Sequence, residues 1–424
     1  MAVESVDGDA GAQQPGAAGR PVPTRTPDLG IASRIAVSGA GSPRRSEALG
    51  FEDGVGTGRK FLLGLELPRW ARPSWGGQTG TGARPGRERG GRTPDFRLVD
   101  AGHRIAPGAI VGPVSSAGTI LRAARWMGSA VARRDPPLGT VVVCSGRSEF
   151  IEKYLDVAAD LLDRGFAVVL FDWRGQGLSD RPLADPRKGH VSSFLDYETD
   201  LLAVVDQILQ PFCPKPWFAL AHSMGGAVAL NFAADHPGVL HRLVLSAPMI
   251  EIARLPFAET LRATARLCRY GGLSRSFVPG VRGRAGLFGT FANNLLTSDQ
   301  ARYQTVLDYL RAEPRLALGA PTIGWVHAAF VAMARLHADD YPLRMATPVL
   351  AVNPGYDRVV EARATDRLVA RLRASRVVAV PQSRHEILIE RDIFRQQFWA
   401  AFDAFVPGSG ETAAMRGRPR ATAS

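Results

Sequence analysis

The chain is poor in cysteine, with three in 424 residues, Cys144, Cys213 and Cys268, all far apart. No paired spacing joins them, so neither a disulfide framework nor a cysteine-ligated zinc site is implied, and a reduced compartment, the cytoplasm, is expected. Long apolar runs are missing too. No stretch approaches the roughly 18 apolar residues of a spanning helix. The amino terminus, Met1 to Ala18, carries acids where a secretory signal has a basic region, and it lacks an apolar core. Internal repeats are absent. The net charge is +12, yet no dense Lys/Arg stripe accounts for it. Residues 1–97 carry 14 basic against 10 acidic side chains and residues 407–424 carry 3 against 1, leaving +6 over the 309 residues between. That distribution argues against specific nucleic-acid recognition and allows at most peripheral contact with an anionic membrane, here at its inner face.

Residues 1–97 contain 19 Gly and 9 Pro, a composition that buries too little apolar surface to fold, so a disordered leader is expected there. Its one apolar patch, Phe61 to Leu67, stops at Pro68. From 98 to 406 the texture is that of a folded domain, and the tail 407–424 again reads as unstructured. Ile110–Val114 and Thr119–Trp126 predict an antiparallel edge hairpin. Continuous β-branched or apolar runs at Thr140–Cys144, Ala167–Phe171, Trp217–Ala221, Leu243–Ser246 and Pro348–Val352 predict strands buried on both faces, and Arg376–Val380 adds a last one. Helical patterns lie between them, at Phe150–Arg164, Ser192–Leu209, Met224–Asp235, Glu361–Ala374 and Arg391–Phe405. Alternation of this kind predicts an α/β fold, a mostly parallel central sheet with helices on both faces. The alternation breaks from about 249 to 343, which reads as a helical cap inserted after the sixth strand.

The residues that carry chemistry sit where strands end. In Phe218-Ala219-Leu220-Ala221-His222-Ser223-Met224-Gly225-Gly226 an apolar run leads into a serine turn and a helix follows, the pattern of a nucleophile elbow. Small residues two places before and after Ser223 let the backbone double back. Ala221 and Gly225 fill those places, although glycine is usual at the first. A serine hydroxyl needs a base, and the base needs an orienting carboxylate. His385 follows the last strand and Asp357 follows the one before it, so both emerge at the same sheet edge. The chain order Ser223, Asp357, His385 is that expected of α/β-hydrolases. His222 is expected to pack behind the elbow. His103, His190, His236 and His241 lack a suitable setting, and His327 and His337 belong to the cap. For the oxyanion, the backbone N–H of Met224 is one donor and that of Arg147, in the loop Ser145-Gly146-Arg147, is the other.

Further stretches reinforce this reading: Ser148 to Tyr154, Asp172-Trp173-Arg174-Gly175-Gln176-Gly177-Leu178-Ser179, Gly189-His190-Val191, Leu296 to Asp299 with Arg302-Tyr303, and His385 to Leu388. With them the chain, over about residues 99–406, resembles the serine α/β-hydrolase superfamily and, within it, the bacterial lysophospholipases related to monoacylglycerol lipases. The resemblance implies the α/β-hydrolase fold and a small-molecule substrate, the carboxylic ester of a monoacyl lipid, cleaved through an acyl-enzyme on Ser223 beneath the cap. No metal or organic cofactor is needed. One departure stands out, Ser145-Gly146 where lipase relatives commonly carry His-Gly. Alternatives are a small-ester carboxylesterase, a proline-releasing peptidase, an acyltransferase, or a binding protein that retains the pocket. Among apolar cap residues, Leu255, Phe257, Leu267, Phe277, Leu287, Phe288, Phe291, Leu295, Leu296, Trp325 and Phe330 are candidates for contact with an acyl chain.

Overall fold

The computed structural model describes residues 96–128, 136–253, 258–279 and 289–409. Residues 1–95 and 410–424, which include nearly all of the expected leader and tail, lie outside the described residues. Among the described residues no helix is long and apolar enough to cross a membrane.

Eight strands form one sheet: β1 (Ile110–Ser116), β2 (Thr119–Trp126), β3 (Thr140–Cys144), β4 (Ala167–Phe171), β5 (Trp217–His222), β6 (Arg242–Ser246), β7 (Val349–Pro354) and β8 (Ser375–Val380). Their order is β1-β2-β4-β3-β5-β6-β7-β8. The β1–β2 and β2–β4 pairs are antiparallel and all others parallel. Central strands read as unbroken apolar runs because helices cover both faces. In β3, Val142 and Cys144 join the core on one side while Val141 and Val143 join the core on the other. Each such valine, fully buried, contributes roughly 1.5–3 kcal/mol.

The first face is covered by α2 (Leu195–Val204) and α3 (Met224–Asp235), the second by α1 (Leu155–Asp163) and α8 (Asp392–Phe405). Two expected helices differ in detail. The one expected from Phe150 begins as a 3-10 turn, Ile151–Tyr154, before α1, and Gly165 at φ +86° ends it. The one expected over 192–209 starts at Leu195 and widens into a π-helical stretch at Val205–Leu209. Between β6 and β7 lie α4 (Ala258–Cys268), α5 (Gln300–Ala312) and α6 (Ile323–His337), and α7 (Ala362–Arg371) separates β7 from β8. Asp299 caps α5 by accepting from Arg302 N at 2.9 Å, and Thr322 caps α6 by accepting from Trp325 N at 3.2 Å. The inserted segment divides in two. α6 buries Ala328, Ala329, Ala332, Met333 and Leu336 in the first-face core, so it serves as the crossover helix that a parallel β6–β7 pair requires. Before it, α5 packs Val306 and Tyr309 into the second-face core, Tyr309 edge-on to Phe150.

Candidate active site

The strand β5 ends in a turn no ordinary L-residue favours: Ser223 has φ +50° and ψ −116°. The turn is possible because its surroundings are small and tight. Ala221 is registered between Cys144 of β3 and Leu245 of β6, and a Cβ on Gly225 would lie 2.3 Å from the Cys144 carbonyl. Ser223 N donates to Ser246 O at 3.1 Å and its carbonyl accepts from Met249 N at 2.9 Å, which pins the turn to β6. The hydroxyl is thereby presented at the carboxyl edge of the sheet.

The groups expected to act together meet there. His385 Nε2 lies 3.1 Å from Ser223 Oγ, and His385 Nδ1 lies 2.8 Å from Asp357 Oδ2. Asp357 is fixed by its other oxygen, which accepts from Val359 N at 2.7 Å and Val360 N at 3.1 Å. Burial alone would raise the Asp357 carboxyl, but the His385 bond and those two N–H groups hold it below the usual carboxylate range. It stays ionised at neutral pH and fixes the imidazole with Nδ1 as donor.

The loop after β3 is clamped almost atom by atom. Trp173 Nε1 donates to Ser145 O at 2.8 Å, Gln176 Nε2 to Gly146 O at 3.1 Å, and Ser148 N to Gln176 Oε1 at 2.8 Å. Gly146 N donates to the Glu149 carboxylate. Arg147 N–H is left between these clamps, and among the described residues neither it nor Met224 N–H has a protein acceptor. Ser145 and Gly146 take part in these clamps through backbone atoms only, so the departure from His-Gly costs the loop none of them. A family model described as "Serine aminopeptidase, S33" matches residues 135–392. The chain belongs to this family.

Two similar proteins are named as lipid hydrolases. Lysophospholipase L2 of Escherichia coli (strain K12) is 36% identical over 271 residues, 60% of this chain and 76% of that protein. Monoacylglycerol lipase of Mycolicibacterium smegmatis is 26% identical over 259 residues, 60% of this chain and 83% of the relative. Among solved structures, a soluble variant of monoglyceride lipase from Saccharomyces cerevisiae covers 74% of this chain and 98% of its own, with a TM-score of 0.56 and 18% identity. A thermostable carboxyl esterase from Bacillus coagulans gives a TM-score of 0.57 at 19% identity, over 73% of this chain and 98% of its own. The fold is that of the α/β-hydrolases.

The structure also gathers residues to which sequence reasoning, apart from placing His222 behind the elbow, gave no role. Glu149, Lys153, Tyr154, His222 and Glu386 form one buried polar cluster behind the site. Lys153 Nζ bonds Glu149 Oε1 at 2.7 Å and Glu386 Oε1 at 2.5 Å, and Tyr154 Oη donates to Glu149 Oε2 at 2.6 Å. His222 sits behind the elbow as expected, 3.1 Å from Glu149 and with its ring centroid 4.9 Å from that of His385. Burial opposes its charge, but Glu149 holds its pKa above the ordinary histidine value. Charged residues with helical i, i+4 spacing in a motif, here Glu149 and Lys153, were the available signal. A second buried set, Arg122 with Glu152 and Asp172, anchors the loop that carries Trp173 and Gln176.

The remaining histidines do other work. His190 Nδ1 is 2.8 Å from Thr322 Oγ1 and ties the loop after β4 to the start of α6. His327 packs edge-on against Tyr270, and His337 Nε2 lies 3.2 Å from Glu251. Of the apolar cap candidates, Leu255, Phe257, Leu287 and Phe288 lie outside the described residues. Trp325, Phe330 and Leu296 are buried in packing, Phe277 and Phe291 are half-buried, and Leu267 and Leu295 are exposed. Among the described residues no group of three or more His, Cys, Asp or Glu is arranged to hold a metal ion.

Proposed function

We propose that this chain is a serine hydrolase that cleaves the carboxylic ester of a monoacyl lipid through an acyl-enzyme on Ser223. The observation that carries the reading is the hydrogen-bonded series Ser223–His385–Asp357 at three strand ends. It is supported by the printed names of the relatives, lysophospholipase L2 and monoacylglycerol lipase. His385 takes the Ser223 proton as the oxygen attacks the ester carbonyl, and Asp357 steadies the resulting imidazolium. The N–H groups of Arg147 and Met224 receive the oxyanion, each worth about a hundredfold or more in rate. His385 returns the proton to the leaving alcohol, and water then releases the fatty acid along the same path. No step draws on a metal or organic cofactor.

The domain is proposed to occupy residues 98–406. A finer proposal places the cap against an anionic membrane surface: Leu267 and Tyr270 are 75% and 73% exposed, and Arg266 and Arg269 stand among them in sequence. The charge balance supports no nucleic-acid partner, and the cysteine pattern supports a cytoplasmic site. The test is fatty-acid release from lysophosphatidylcholine and from monoacylglycerol by wild type and Ser223→Ala. A loss of about a thousandfold or more in the variant, with an unchanged melting temperature, is expected. Wild-type turnover by Ser223→Ala would refute the assignment.

A further inference from the structure

We propose that the Arg147 side chain recognises the phosphate of a lysophospholipid, on the same residue whose N–H faces the oxyanion. The proposal rests on the ester-hydrolase reading above and narrows its head group. Arg147 Nη2 donates to Gly319 O at 2.6 Å, Nη1 donates to Ser148 Oγ at 3.0 Å, and the guanidinium carbon stands 5.2 Å from the Trp325 ring centroid. Gly189 is so near that a Cβ there would lie 2.6 Å from Nη2. Guanidinium carries five N–H donors; these two bonds leave the remaining Nη hydrogens uncommitted and the buried Nε without an acceptor.

No carboxylate among the described residues lies within salt-bridge distance of this cation. The contrast with its neighbours is informative. Arg122 is paired with Glu152 and Asp172, Arg174 with Asp200, and Arg335 with Glu198 and Asp235. Arg181 also lacks a carboxylate, but its two terminal nitrogens bind three carbonyls, those of Gly175, Gly177 and Arg315. A half-buried cation without a counter-ion is less favourable until an anion arrives. Burial pushes the Arg147 guanidinium down to about 10, so it is still charged at neutral pH, and the residue remains partly exposed.

The spacing suits one substrate. An arginine side chain is comparable in length to the glycerol between ester and phosphate in a 1-acyl lysophospholipid, so one residue can offer its N–H to the ester carbonyl and its guanidinium to the phosphate. Its planar fork matches phosphate oxygens. A monoacylglycerol offers a neutral hydroxyl at that place and leaves the charge uncompensated.

The experiment measures kcat/KM on 1-palmitoyl lysophosphatidylcholine and 1-palmitoyl glycerol, in the same neutral-detergent micelles, for wild type, Arg147→Gln and Arg147→Lys. We expect the lysophospholipid-to-glyceride ratio to fall about tenfold or more in Arg147→Gln, chiefly through KM, with part retained in Arg147→Lys. Glycerol 3-phosphate should compete in wild type and lose that effect in Arg147→Gln. An unchanged ratio, whether both activities persist or fall together, overturns the proposal. Inhibition by inorganic phosphate without any lysophospholipid preference marks a free-anion site and also overturns it. If Arg147→Gln no longer takes a fluorophosphonate label at Ser223, its elbow is lost and the Arg147→Lys ratio decides. Wild type that labels at Ser223 but cleaves neither lipid defeats the lipid-ester reading itself, and this proposal with it.

Discussion

Gln176 grips the loop on both sides of Arg147, accepting from Ser148 N and donating to Gly146 O. Its side chain has no place in the proposed proton path, so its expected part is to hold the Arg147 N–H where the proposed oxyanion would form. Gln176→Ala should therefore lower kcat about ten- to a hundredfold while KM changes little. Fluorophosphonate labelling of Ser223 should slow in parallel, because that reaction uses the same donors. A fall confined to KM, or a normal labelling rate, would reduce Gln176 to a packing role. At this scale the sequence was legible where a side chain follows a strand directly: Ser223, Asp357 and His385 could be placed from the strand runs before them. Gln176 could not, because it lies within a loop, and its partners are backbone atoms of a distant segment that no periodicity marks.

The short segment from Glu149 to Tyr154 shows what an element adds. Glu149, just before the 3-10 turn, and Lys153, within it, lie in the core beside His222 and Glu386, and one Glu149 oxygen reaches Gly146 N in the loop after β3. Burial opposes ionisation of Glu149, but Lys153 and His222 outweigh it and hold its carboxyl well below the ordinary range. A depressed carboxylate stabilises the fold fully above its unfolded value, and that contribution is lost as pH falls through the folded value. The melting-temperature gap between wild type and Glu149→Gln should thus be full at neutral pH and shrink once pH drops below the ordinary glutamate range. A gap that does not change with pH would mean the Glu149 charge is not what stabilises the cluster. Strands were the most legible elements, since both-face burial writes itself as an unbroken apolar run. Helix starts were less so: at Phe150 and Ser192 the expected starts precede the helical turn, since local side-chain bonds such as Leu195 N to Ser193 Oγ compete with it.

For the whole molecule, the boundary of the folded body can be argued from contacts. Arg97 O accepts from the buried Arg122 Nη1 at 3.0 Å and Val99 N donates to Glu152 Oε1 at 2.8 Å, so Arg97 is tied to the same ion cluster that anchors the Asp172 loop. A chain beginning at Phe96 should keep the full-length kcat/KM and melting temperature. One beginning at Val99 should melt lower, by an amount corresponding to roughly 1–3 kcal/mol, because the Arg122 cluster loses an acceptor. Equal stability of the two would show that Arg97 O is dispensable. Composition could not show that the Arg97 carbonyl is used by a charge 25 positions away. Nor could it show that α6 belongs with the sheet, since an apolar helix reads alike in a cap and in a crossover.

The order of the sheet also sets a schedule. Ser223 lies on β5, whereas Asp357 and His385 follow β7 and β8, the last strands to be made. During synthesis the earlier segments are available to fold first, and the serine then stands on its elbow without a base. On the proposed assignment a chain that lacks β7 and β8 has no base for Ser223, so esterase activity is expected only once the segment through His385 has been made and folded.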